Sequence, residues 1–111
     1  MSRILNITNS DELNKLIKSE EAVLINFYAE WCNPCKLLSP RLEELSIKYP
    51  NVKFVKIDFD KSREIADAFG IKHMPTLIGF SEGKKLDELV GFDNAKISAL
   101  ADKLASKINF V

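Results

Sequence analysis

The sequence predicts an α/β protein with a mixed central sheet of five strands flanked by four α-helices. Three features carry that expectation. Apolar runs of strand length alternate with segments whose leucines and isoleucines recur at helical spacing, the order that joins strands through helices. One run, AVLINFYA at residues 22–29, is apolar at nearly every position, which suits a strand covered on both faces. The last two strand-like runs are separated only by Ser81, Glu82, Gly83 and Lys84, a hairpin turn that makes the final pairing antiparallel.

Taken in order, residues 3–7 form a short edge strand. Asn9 and Ser10 are candidate caps for a helix with Leu13, Leu16 and Ile17 on one face. Residues 22–29 form the central strand. From Pro34 to Tyr49 the helical stripe is Leu37, Leu38, Leu42 and Leu45, and Pro40 inside it removes a backbone donor and kinks the helix. Residues 52–59 give another strand. Residues 62–69 give a short helix stopped by Gly70, and residues 76–80 a strand after Met74 and Pro75. After the turn, residues 85–90 complete the sheet, with Lys84, Lys85, Asp87 and Glu88 marking a solvated edge. Asn94 is expected to cap a last helix that carries Ile97, Leu100, Leu104 and Ile108.

The totals bound the function. A chain of 111 residues with no repeat, linker or low-complexity tract is expected to form one domain over residues 1–111. Sixteen basic and sixteen acidic residues cancel, so the basic surface that nucleic-acid binding requires is missing. No apolar run is long enough to cross a membrane. The opening MSRILNITNSDEL lacks the apolar core of a secretory signal, and a monomer in the cytoplasm is expected. Two cysteines three residues apart are the wrong inventory for a secreted disulfide scaffold, which assigns them a chemical task. A closed zinc site needs four ligands, and two cysteines with His73 fall short within one chain.

That task follows from position. Cys32 and Cys35 lie in FYAEWCNPCK, where the central strand passes into the kinked helix. A thiol at a helix N-terminus faces unpaired N–H groups and the positive end of the helix dipole, so its thiolate is favoured. Cys32 is therefore the expected nucleophile. Cys35, one turn into the helix, is expected to be the more buried, protonated and resolving thiol.

WCNPCK after a strand ending FYAE resembles the thioredoxin active site, with Asn33 where the family usually has Gly. Met74, Pro75 and Thr76 match that family's cis-proline loop, Pro40 its helix kink, Lys56 its strand lysine and Gly91 the glycine that closes its substrate groove. The resemblance covers nearly the whole chain. It implies a thioredoxin fold and a general protein-disulfide reductase, in which Cys32 attacks a substrate disulfide and Cys35 resolves the mixed disulfide. It further implies that no cofactor is bound to this chain, and that a thioredoxin reductase returns electrons from NADPH. Trp31, Pro34, Met74, Pro75, Gly91 and Phe92 would form the apolar rim that receives an extended substrate segment.

Two departures bear on chemistry. The family usually has a buried aspartate where this chain has Asn26, and a carboxylate there raises the thiol pKa values and accepts a proton from the resolving thiol. Asn26 can do neither, which predicts a lower Cys35 pKa and places the role of Lys56, the expected partner of that aspartate, in question. Asn33 differs from Gly in backbone freedom and hydrogen bonding, and with Pro34 it tunes the couple between the cysteines. Tyr28 stands where many relatives have Trp. His73 lies two residues before Pro75, either as a plain surface residue or near Cys32, where it could assist the thiolate. Two other readings stay open: a binding module that holds partners on the rim without turnover, and an oxidase or isomerase set by a less reducing potential.

Overall fold

The computed structural model describes residues 2–108; Met1 and residues 109–111 of the expected single domain lie outside the described residues. Nine elements follow one another: β1 (Leu5–Asn6), α1 (Ser10–Ser19), β2 (Ala22–Tyr28), α2 (Asn33–Lys48), β3 (Lys53–Asp58), α3 (Arg63–Ala68), β4 (Thr76–Ser81), β5 (Lys84–Val90) and α4 (Asn94–Ser106). The sheet order is β1-β3-β2-β4-β5. β3 runs parallel to both β1 and β2, and β4 pairs antiparallel with β2 and with β5, so the sheet is mixed as expected.

β2 lies at the centre and sorts its side chains by parity, as a pleated strand must. Val23, Ile25 and Phe27 join Leu13 and Ile17 of α1 and Ile65 and Ala66 of α3 in one core. Ala22 and Leu24 join Leu38, Leu42 and Leu45 of α2 and Ile97, Leu100, Ala101 and Leu104 of α4 in the other. Two helices thus cover each face. That double cover is why the run at residues 22–29 is almost wholly apolar.

The ends of the elements follow local chemistry. Asn9 caps α1 by accepting the Glu12 N–H at 2.9 Å. α3 stops at Gly70, whose φ of +68° is the left-handed conformation that glycine adopts freely. Between β4 and β5 only Glu82 and Gly83 remain, with φ of +50° and +79°, a two-residue turn whose twist matches that of the strands it joins. The expected charged edge is solvated: Lys84, Lys85, Asp87 and Glu88 of β5 are all exposed.

Four expectations need correction. Leu37 of the α2 stripe is exposed, and only Leu38, Leu42 and Leu45 enter the core. β1 is two residues rather than five, because only Leu5 and Asn6 find register with β3, at Val55 and Lys56. The cap of α4 is Asp93, which accepts the Lys96 N–H at 3.1 Å, while Asn94 is the first residue of the helix and its amide is engaged elsewhere. Ile108 lies beyond the end of α4, although it still packs on the α2–α4 core.

Candidate active site

β2 ends at Tyr28, and the chain turns through Ala29, Glu30 and Trp31 into α2. Cys32 is the N-cap of α2 and accepts the backbone N–H of Cys35 on its sulfur at 3.2 Å. Its own N–H donates to the Ala29 carbonyl at 3.2 Å, which fixes the turn. Pro34 fits the first turn of the helix, where no backbone donor is needed. Cys32 and Cys35 are joined by a disulfide, with Cα atoms 5.3 Å apart.

Cys35 is not the more buried of the two: Cys32 is 4% exposed and Cys35 5%. Both are sheltered by one cluster of Ala29, Tyr28 and Met74. Met74, which the resemblance placed on the rim, packs against both cysteines from the loop before β4. The difference between the sulfurs lies in position, with Cys32 at the cap where helix N–H groups converge and Cys35 within the first turn.

Met74 precedes Pro75 through a cis peptide bond. The Pro75 carbonyl accepts the N–H of Gly91 at 2.8 Å, which joins the proline loop to the segment after β5. Gly91 has φ +90°, a conformation that a side chain resists. Trp31, next to Cys32 in the chain, is 64% exposed, and Phe92, next to Gly91, is 38% exposed, so both present large apolar side chains to solvent. Trp31 is held by its indole N–H, which donates to Asp60 Oδ2 at 2.7 Å. His73 is exposed, and its carbonyl accepts the Thr76 hydroxyl; the residue of that loop that packs with the cysteines is Met74.

Asn26 is buried on β2, and the alternation of the strand puts its side chain on the α2–α4 face with Leu24. Its backbone neighbours are Lys56 on β3 and Leu77 on β4, and among the described residues no donor meets its Oδ1. Lys56 is half-buried, and its ammonium lies 5.9 Å over the Tyr28 ring, so an aromatic face receives it. The nearby buried carboxylate is Asp58, whose Oδ1 accepts the N–H groups of Asp60 and Lys61 at 2.9 and 3.2 Å. Burial, assisted by the charge of Asp58, pushes the Tyr28 phenol above its ordinary value of 10.0. Among the described residues no three His, Cys, Asp or Glu side chains gather as a metal ion would require.

The structure therefore brings Cys32, Cys35, Asn33, Pro34 and Trp31 together at the start of α2, joins Pro75 to Gly91, and packs Met74 onto the cysteines. Asp60 and Arg41 were not found by sequence reasoning. Asp60 follows a strand in a run of charged residues that gives no hint of an indole partner, and nothing in the sequence around Arg41 points to partners more than fifty residues away.

A family model described as Thioredoxin matches residues 4–106. The chain belongs to the thioredoxin family. The oxidised couple is this family's redox-active pair, and this thioredoxin is an oxidoreductase that exchanges dithiol for disulfide. It is similar to Thioredoxin-2 of Pyricularia oryzae, at 38% identity over 86% of this chain, and it spans 56% of that relative's length. It is also similar to a thioredoxin of Coprinus comatus, at 40% identity over 87% of this chain and 93% of the relative. Its fold matches the oxidised crystal structure of mitochondrial thioredoxin 3 from Saccharomyces cerevisiae with a TM-score of 0.84 and 36% identity, over 89% of this chain and 94% of that one. The fold expected from the sequence is thus the one observed. Among the described residues no helix is long and apolar enough to cross a membrane, and relatives of this thioredoxin include a mitochondrial one, so membership does not fix the compartment.

Proposed function

We propose that the chain acts as a general protein-disulfide reductase, with Cys32 as nucleophile and Cys35 as resolving thiol. The observation that carries this reading is the placement of Cys32 as the N-cap of α2, its sulfur already accepting the Cys35 N–H at 3.2 Å. The same donor that meets the disulfide sulfur meets the thiolate once the bond is reduced, and it stabilises the anion.

The Cys32 thiolate attacks one sulfur of a substrate disulfide, forms a Cys32–substrate disulfide and expels the other substrate sulfur as thiolate. Cys35 then loses its proton and attacks Cys32 Sγ, closing the internal disulfide and releasing the second substrate thiolate. Two electrons pass to the substrate. Asn26 cannot take the Cys35 proton, so solvent carries it. Trp31, Pro34, Met74, Pro75, Gly91 and Phe92 form the rim that orients the substrate, and Asn26, Asn33, Pro34 and Lys56 set the pKa values of the pair. No bound cofactor takes part. A thioredoxin reductase drawing on NADPH restores the dithiol, and the chain works as a monomer in the cytoplasm.

Reduction of insulin disulfides under dithiothreitol tests the reading. The parent turns over, Cys32→Ser is inactive and captures nothing, and Cys35→Ser is inactive but accumulates a mixed disulfide visible by mass. A folded parent without turnover, or capture by Cys32→Ser instead, overturns the assignment.

A further inference from the structure

One side chain in the middle of the redox helix ties it to its neighbour. Just past Pro40, Arg41 reaches from α2 to α4, where Nε donates to Asn94 Oδ1 at 2.9 Å and Nη2 donates to Ser98 Oγ at 2.8 Å. A third nitrogen, Nη1, lies 3.6 Å from the Glu44 carboxylate on its own helix. The planar guanidinium presents these donors in a fixed fork, so the pair of bonds to α4 sets direction as well as distance. The Arg41 side chain is 30% exposed against 68% for Glu44, which leaves the fork partly sheltered from competing water.

The position of this tie matters. α2 and the turn before it carry Trp31 and Pro34, taken above as one wall of the proposed rim, and α4 with its cap Asp93 begins directly after Gly91 and Phe92, taken as a second wall. The Gly91 N–H to Pro75 carbonyl bond at 2.8 Å links that second wall to the proline loop. Another polar link, from the Tyr49 hydroxyl to Asp102 Oδ1 at 3.1 Å, lies at the far end of α2 from the cysteines. Between the two links the helices meet through apolar side chains such as Leu42, Leu45 and Leu100, and apolar packing permits small sliding of one helix on another. Asn94, released from capping by Asp93, is free to receive the guanidinium.

We propose that Arg41 is a positioning residue that fixes the β5–α4 rim segment relative to the redox helix, and so sets the affinity for a substrate segment without touching either cysteine. This rests on the reductase reading, which parent turnover measured beforehand tests separately. Arg41→Met keeps the aliphatic stem and removes the donors. The expected result is a KM for insulin raised about threefold to tenfold, with kcat, the thiol titration and the equilibrium with glutathione unchanged. Asn94→Ala/Ser98→Ala should reproduce that rise, the triple variant should add nothing further, and Arg41→Lys should recover part of it.

Hydrogen exchange at residues 91–98 reads the tie directly and needs no turnover. Faster exchange there in Arg41→Met, while the amides of β2 keep their protection, supports the proposal. Unchanged exchange overturns it. So does faster exchange with an unchanged KM, which would leave Arg41 a tie between helices with no bearing on substrate, and so does a loss in kcat or a shift in the glutathione equilibrium at constant KM.

Discussion

Asn26 sets an amide in the face of β2 that α2 and α4 cover, its oxygen without a donor among the described residues and its neighbours in that core apolar. Its consequence for chemistry is electrostatic: an amide carries no charge, so nothing at this position opposes ionisation of the cysteines. Asn26→Asp should raise the apparent thiol pKa of the reduced protein by about one unit, equivalent to about 1.4 kcal/mol. Thiolate absorbance followed through a pH titration measures it, and identical titrations for parent and variant would remove Asn26 from the list of tuning residues. Tyr28 gives a second test at the same scale. Burial first, and the Asp58 charge second, raise its phenol pKa in the folded state. The folded protein therefore holds this proton to higher pH than the unfolded chain does. The stability linked to Tyr28 is complete below the unfolded value of about 10 and is lost as pH rises toward and through the folded value. Thermal melts recorded across that alkaline range should show the parent losing Tm more steeply than Tyr28→Phe, with the two curves parallel near neutral pH.

Elements show what one position can and cannot announce. β4 crosses α4 at Gly79, where an added Cβ would lie 3.1 Å from both Leu100 Cδ1 and Leu104 Cδ1. Those leucines are buried in a filled core, so they have little room to give. Gly79→Ala should cost about 1 to 2 kcal/mol, read as a lower urea midpoint at an unchanged slope. An unaltered midpoint would mean that α4 shifts without penalty. The sequence showed Gly79 only as a glycine inside an apolar strand, because the close approach comes from leucines on a helix two elements later. The α4 cap failed to show itself for a related reason. Asp93 and Asn94 are adjacent and both are capping residues, and what separates them is a contact with Arg41, 53 residues from Asn94, which holds the Asn94 amide while Asp93 caps. The redox motif was legible because its determinants, a strand end, a helix start and two cysteines, are contiguous. The equal burial of the two sulfurs was not, since it depends on how closely Tyr28, Ala29 and Met74 pack over each of them. Strand alternation and helical stripes were likewise local, which is why all nine elements could be read while the length of β1, set by register with β3, could not.

For the molecule as a whole, the redox state and folding are one linked equilibrium. The disulfide joins residues three apart, a short loop, and in the chain-entropy description closing such a loop destabilises the unfolded state by about 2 kcal/mol. If the folded site accepts the bond without strain, the oxidised protein is more stable than the dithiol by that amount. The four states, folded and unfolded, oxidised and reduced, close a cycle. The stability gained on oxidation therefore equals the extra free energy needed to reduce the folded couple relative to the unfolded one. About 2 kcal/mol corresponds to about 40 mV for two electrons, in the direction that makes the folded couple the better reductant. Urea unfolding in the presence and absence of reductant measures the difference without any substrate. A higher midpoint for the oxidised protein agrees with a reductase. A higher midpoint for the dithiol would mean that the fold stabilises the reduced pair, as it does in strong oxidants, and would reverse the direction of electron flow assigned to Cys32 and Cys35.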